Sequence, residues 1–198
     1  MRYLVFGSAF ISGFVVMVLE MLGGRIIAPW FGGDIYVWGS IITVFMLALS
    51  LGYLIGGRWS LQNASLWRYG NLFLGAGLLI LPVVFIAQPI MAGIFDRVVD
   101  PRYGSLLASL ALFLFPSIVM GMVSPYSVRL LTQSRESSGA SAGLLYFVST
   151  LGSALGTLAT SFYLVALLEV NQILLAAVGI FCINGLLLMA VHKRMPVL

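Results

Sequence analysis

Residues 172–191, QILLAAVGIFCINGLLLMAV, run for twenty positions without one charged side chain. Wound as a helix at about 1.5 Å per residue, such a run covers the ~30 Å hydrocarbon core of a bilayer. Reading outward from it, five further apolar runs cover residues 3–22, 37–57, 69–95, 104–124 and 140–168, and the charged residues fall almost wholly between them. Charged residues make up only 8% of the 198 positions and the mean hydropathy is +1.10, too little polarity to cover a water-soluble surface. A backbone in hydrocarbon must satisfy its own hydrogen bonds, and these continuous runs lack the ~10-residue alternating pattern of barrel strands. The sequence therefore predicts an all-α integral membrane protein, a single six-helix transmembrane domain over residues 1–198, with little chain left for a soluble domain.

Arg2 followed by an apolar run to Leu19 has the outline of a signal peptide. The run is longer than a usual signal core, and Gly23, Gly24 and Arg25 follow it without a small-residue cleavage site, so it is expected to remain as the first span. The cations set the expected orientation. With the N-terminus inside, Arg2, Arg58, Arg68, Arg129, Arg135, Lys193 and Arg194 are cytoplasmic, and only Arg25, Arg97 and Arg102 lie outside, the last two beside Asp96 and Asp100. Both termini are thus predicted to be cytoplasmic. Trp30, Tyr36 and Trp38 at one interface, and Trp59, Trp67 and Tyr69 at the other, read as headgroup-level anchors. The net charge of +4 comes largely from span ends, which argues against a nucleic-acid partner and for membrane lipid.

Within the spans, Pro82, Pro89 and Pro116 each remove a backbone donor, and local kinks are expected there. Glycines four apart recur at Gly52 and Gly56, at Gly139 and Gly143, and at Gly152 and Gly156. Residues four apart share a helix face, and glycine lets a second backbone approach, so spans two and five are predicted to make the tightest helix contacts. Those contacts fit packing within one chain, a subunit interface or a sliding surface. Lone Cys182 reads as packing, with no disulfide or metal partner nearby in sequence.

Glu20 is the one acidic residue placed within a span, about one turn from its outer end. Arg25 lies five residues on, past two glycines expected to end the helix. The pair reads either as a local ion pair or as a cation or proton site, since intramembrane carboxylates are functional candidates. Asp34, Asp96, Asp100, Glu136 and Glu169 fall in connections and are expected to be solvated. Signatures of phosphate cradles, zinc-binding helices and nucleophile–base pairs are missing, and the single His192 sits in the tail, so no catalytic residue, metal or cofactor is expected.

The stretch from Glu20 to Gly33, EMLGGRIIAPWFGG, followed by Tyr36-Val-Trp38 and by residues 51–58, LGYLIGGR, resembles the membrane domain of bacterial spermidine-synthase-like membrane proteins. Ser124-Pro125 with Arg129, and residues 143–157 with Gly152 and Gly156, extend the resemblance over nearly the whole chain. In such proteins a region like half of a major-facilitator transporter is fused to a polyamine synthase. The resemblance implies a bacterial inner-membrane location and singles out Pro29, Trp38, Gly56, Gly57, Arg58, Pro125 and Arg129. These 198 residues carry no aminopropyltransferase domain, so no polyamine-synthase site transfers to them. After Gly57-Arg58 the chain continues Trp-Ser-Leu-Gln, where facilitator-type transporters place Leu-Ala-Asp-Arg, so that gating pair is missing.

Two functions are compatible with these features. One is a non-catalytic membrane subunit that anchors, stabilises or regulates a partner enzyme or complex. The other is a half-size transporter of a small, cationic, polyamine-like metabolite acting as a homodimer, because the substrate site of such transporters lies between two repeats.

Overall fold

A computed structural model describes residues 1–132 and 138–194; Arg135 and Glu136 of the sequence reading lie outside them. The described residues form six long helices and no strand. These are α1 (Arg2–Phe31), α2 (Ile35–Ser60), α3 (Leu66–Phe95), α4 (Pro101–Leu131), α5 (Ser138–Leu167) and α6 (Val170–Arg194). All six are apolar and long enough to cross a membrane, and the chain is an all-α membrane bundle. With 25 to 31 residues each, they extend over ~37–47 Å, so their ends pass beyond the hydrocarbon into the headgroup layers.

Short connections stop and restart the helices by local chemistry. Gly32 closes α1 with φ +87, a left-handed conformation that favours glycine, while its N–H bonds back to the Ala28 carbonyl. Ser65 caps α3 by accepting the Arg68 N–H. Asp100 caps α4 by accepting the Arg102 N–H, with Pro101 in the first helical position. Asp100 also pairs with the Arg102 guanidinium at 3.0 Å, the one ion pair among the described residues. The side-chain hydrogen bond from Arg102 holds the Asp100 carboxyl below its ordinary range. A depressed folded-state value stabilises the cap above the unfolded carboxylate range, near pH 4, and that contribution is lost as pH falls through the folded value. Protection of the Arg102 amide, its exchange relative to the intrinsic rate at each pH, is therefore expected to fall as the pH drops from about 4 through the lower folded-state value in the wild type, and Asp100→Asn is expected to remove that change in protection.

The most extensive helix pairs are α2 with α4, α1 with α5, and α3 with α6. Exchanging the first three helices for the last three maps this set onto itself: α1·α5 becomes α4·α2, and α3·α6 is unchanged. The pairing thus has the symmetry of two three-helix repeats, with α1 and α4 also packed on each other. The core is aromatic, with Phe45 against Phe113 at 5.5 Å and Phe73 against Phe181 at 5.3 Å between ring centroids.

Glycine makes the closest approaches. A methyl group at Gly52 of α2 would overlap the Ile118 carbonyl and Gly121 of α4, and one at Gly56 would overlap Met122. On α5, Gly152 lies against the Phe10 backbone and Gly156 against Phe14. These four contacts are within one chain. Gly139 and Gly143 make no such contact within the chain: both are exposed, with open space where a side chain would go. The reason is angular, since Gly143 precedes Gly152 by nine residues and so lies roughly 180° around the helix from the α1-facing stripe. Ser141 and Leu145 are buried there instead.

Two further expectations are corrected. Gly23 and Gly24 do not end α1, which continues unbroken through Pro29 to Phe31. Gly23 lies against the Phe113 ring and Gly24 against the Trp38 indole, so both are slots for rings inside a helix whose backbone must stay bonded in hydrocarbon. Tyr69 is not an interfacial anchor: it is wholly buried, stacked on Tyr126 at 5.7 Å, with its hydroxyl 2.6 Å from Ser127 Oγ. Tyr126 in turn accepts the Ser65 N–H, tying the α3 cap to α4. Tyr69→Phe is expected to cost about 1 kcal/mol, because Ser127 keeps its bond to the Val123 carbonyl and only the phenol contribution is lost. Thermal unfolding in detergent checks this.

Candidate functional site

The two ends of the bundle differ in charge. Arg2, Arg58, Arg68, Arg129, Lys193 and Arg194 fall at the end where α1 begins, here called the basic end, and Arg25, Arg97 and Arg102 towards the far end. At the basic end, Arg58 borders a shallow depression of about 470 Å³ with Ile55, Trp59, Gln62 and Met122. The surrounding groups satisfy one another. Ser60 donates to the Gly57 carbonyl at 2.7 Å, Trp59 packs on Tyr126, and Arg68 bonds the Gln62 carbonyl while lying over the Trp59 ring. Pro125 stands beside Gly57, and Arg129 is exposed. The Gly56-Gly57-Arg58 motif is thus a close-packed corner carrying one exposed cation.

The middle of α1 differs. Because α1 runs to Phe31, Glu20 lies only ~5 Å along the axis from the helix midpoint, not at the rim as the expected stop at Gly23 would place it. The same continuity removes the expected ion pair with Arg25. Residues three or four apart face each other on a helix, whereas five apart diverge by roughly 140°. Glu20 has no ion-pair partner among the described residues and is partly exposed.

Its direction follows from its neighbours on the helix. Glu20 shares a face with Gly13 and Gly24, seven residues before and four after, and with Phe31. Gly13 abuts Ser149 of α5, Gly24 abuts Trp38 of α2, and Phe31 abuts Gly104 of α4. Glu20 therefore points to where α1 meets α2, α4 and α5. The α1–α5 register, Phe10 with Gly152 and Phe14 with Gly156, continues upward to place Glu20 level with residue 162.

That level of α5 is irregular. Thr160–Leu164 forms a π-helical turn, in which the Val165 N–H bonds the Thr160 carbonyl five residues back. Such turns are rare and recur at functional sites. Buried Thr160 donates to the Gly156 carbonyl at 2.7 Å, and Thr157 to the Ser153 carbonyl at 3.0 Å. Just beyond Glu20, a cleft of about 240 Å³ opens between α1, α2 and this turn, bordered by Gly24, Arg25, Trp38, Thr160 and Ser161. Arg25 also borders a second cleft, of about 250 Å³, on the α3 and α6 side of α1 with Pro29, Gln88, Glu169 and Asn171.

The sequence reading thus located Glu20, Arg25, Pro29 and Trp38 in one region but missed the π turn and Glu169. No periodicity announces an extra residue in one turn, and Glu169 joins Arg25 only through the fold. A hydroxyl–amide pair was also missed: Ser8 and Asn184 meet in the core of α1 and α6 at 3.2 Å. Among the described residues no group of three or more His, Cys, Asp and Glu side chains gathers. No family model, curated protein or solved structure matches the chain.

Proposed function

We propose that this chain is one half of a membrane translocator for a small cation, completed by a second copy packed across the cleft between α1, α2 and the π turn of α5. The observation that carries the reading is Glu20, a carboxylate near the middle of a spanning helix with no cation beside it. A carboxylate at that depth is expensive to keep unless it serves a cation or proton path. The exchange symmetry of the two three-helix halves supports it, since transporters are commonly built from such repeats with their site near the midplane. Closure by a second copy would follow two-fold symmetry, the commonest among soluble oligomers, and bring a second Glu20 to the same path. The resemblance of residues 20–33 to polyamine-linked membrane domains suggests a polyamine as first substrate to try.

The test is native mass determination after mild-detergent purification, followed by spermidine uptake into vesicles holding the purified protein. A homodimer with uptake above protein-free vesicles is the expected result. A single copy bound to a stoichiometric, different chain, with no uptake, would overturn the proposal and establish instead a non-catalytic subunit anchoring or regulating that partner.

A further inference from the structure

The second cleft beside Arg25 has features that transport does not use. It lies at the far end between α1, α3 and the start of α6, with Arg25, Gln88, Glu169 and Asn171 on its rim and apolar side chains such as Val83 and Leu174 below. Arg25 and Glu169 carry opposite charges and border the same space, yet they form no ion pair within 4.0 Å. Among the described residues neither side chain has a hydrogen-bond partner, and both residues are exposed.

Their backbones are fixed. Gly24 and Ile26, on either side of Arg25, are buried, and Gly24 lies against the Trp38 indole. The Glu169 N–H bonds Gln172 Oε1 at 3.1 Å, and its carbonyl accepts the Ile173 N–H at 3.1 Å, so the residue is built into the first turn of α6. Two opposite charges held on one cleft without closing on each other leave room for a group that carries both complements. A guanidinium takes phosphate or carboxylate through two parallel bonds, and a carboxylate takes a primary ammonium. The Gln88 and Asn171 amides can serve either part.

We infer that this cleft binds a zwitterionic headgroup, an anionic phosphate against Arg25 and a primary amine against Glu169. At about 250 Å³ it is smaller than the ~300 Å³ and above typical of whole-ligand pockets, which fits a headgroup and not a complete amphiphile. Its position towards the ends of spanning helices puts it at headgroup depth, and its apolar floor suits the first carbons of a glyceride. The inference is independent of the transport reading, because its test reads binding alone.

The chain, purified and stripped of lipid in mild detergent, is titrated with dioctanoyl phosphatidylethanolamine, dioctanoyl phosphatidylglycerol and tail-free glycerophosphoethanolamine, with occupancy read by native mass. One saturable molecule of the ethanolamine lipid is expected, bound about tenfold more tightly than the glycerol lipid that lacks the amine. Arg25→Gln is expected to weaken both lipids. Glu169→Gln is expected to abolish the preference for the amine while leaving phosphate-dependent binding. Saturable binding of the tail-free compound at the same stoichiometry identifies a soluble zwitterion as the source; binding only with tails identifies the lipid. Equal binding of both lipids, unaffected by either substitution, would overturn the proposal.

Discussion

Gly52→Val is expected to be strongly destabilising, while Gly143→Val is expected to be nearly neutral. At Gly52 the incoming side chain meets the Ile118 carbonyl and the Gly121 backbone, and backbone cannot rotate away as a side-chain tip can. To admit it, α2 and α4 must separate along the pair that makes the most extensive contact in the protein. Overpacking of a well-filled interior costs about 1–3 kcal/mol, and this site should fall at the upper end because the obstacle is main chain on both sides. Helix association in lipid depends on such close approach, without a hydrophobic force to hold loosened helices together. Gly143 meets nothing within 4 Å, so the same change there should lie within about 0.5 kcal/mol of the wild type. Thermal unfolding midpoints in one detergent, compared side by side, make the check. Equal losses at both positions would show that the close backbone approach at Gly52 is not what the substitution disturbs.

On the proposed transport reading, Glu20→Gln is expected to abolish cation flux while leaving the fold intact or firmer. The amide keeps the shape and the hydrogen-bonding oxygen but removes the charge, so cation binding at the site should weaken by about 100-fold, equivalent to ~2.7 kcal/mol. A charged group at the centre of a spanning helix costs about 2.5–3.5 kcal/mol to insert, and a neutral amide avoids much of that. Opposite signs for flux and stability are the signature of a functional carboxylate. Glu20→Asp, which keeps the charge one methylene shorter, should retain part of the flux. The measurement pairs spermidine uptake in vesicles with the unfolding midpoint of each variant. Undiminished flux in Glu20→Gln would remove Glu20 from the path. A large loss of stability in Glu20→Gln, shared by Glu20→Asp, would show a structural carboxylate instead.

The number of spans, the helical class, and the separation of Arg25, Arg97 and Arg102 from the other described cations were legible in the sequence, because hydrophobicity over about twenty residues is a local property that lipid reads directly. Gly52, Gly152 and Gly156 were legible as packing positions, yet Gly139 and Gly143 carried the same spacing without the contact. A glycine pair says only that a backbone could approach; whether one does depends on which face the neighbouring helix covers. The same limit governed the site. In sequence, Gly23-Gly24 reads as a stop, and only the Phe113 and Trp38 rings seated on those glycines show why α1 continues and leaves Glu20 about 5 Å from the helix midpoint. Arg25 and Glu169 stand 144 positions apart, and their sharing of one cleft was decided by the tertiary packing of α1, α3 and α6, since charge placement across helices has no local signal in the chain.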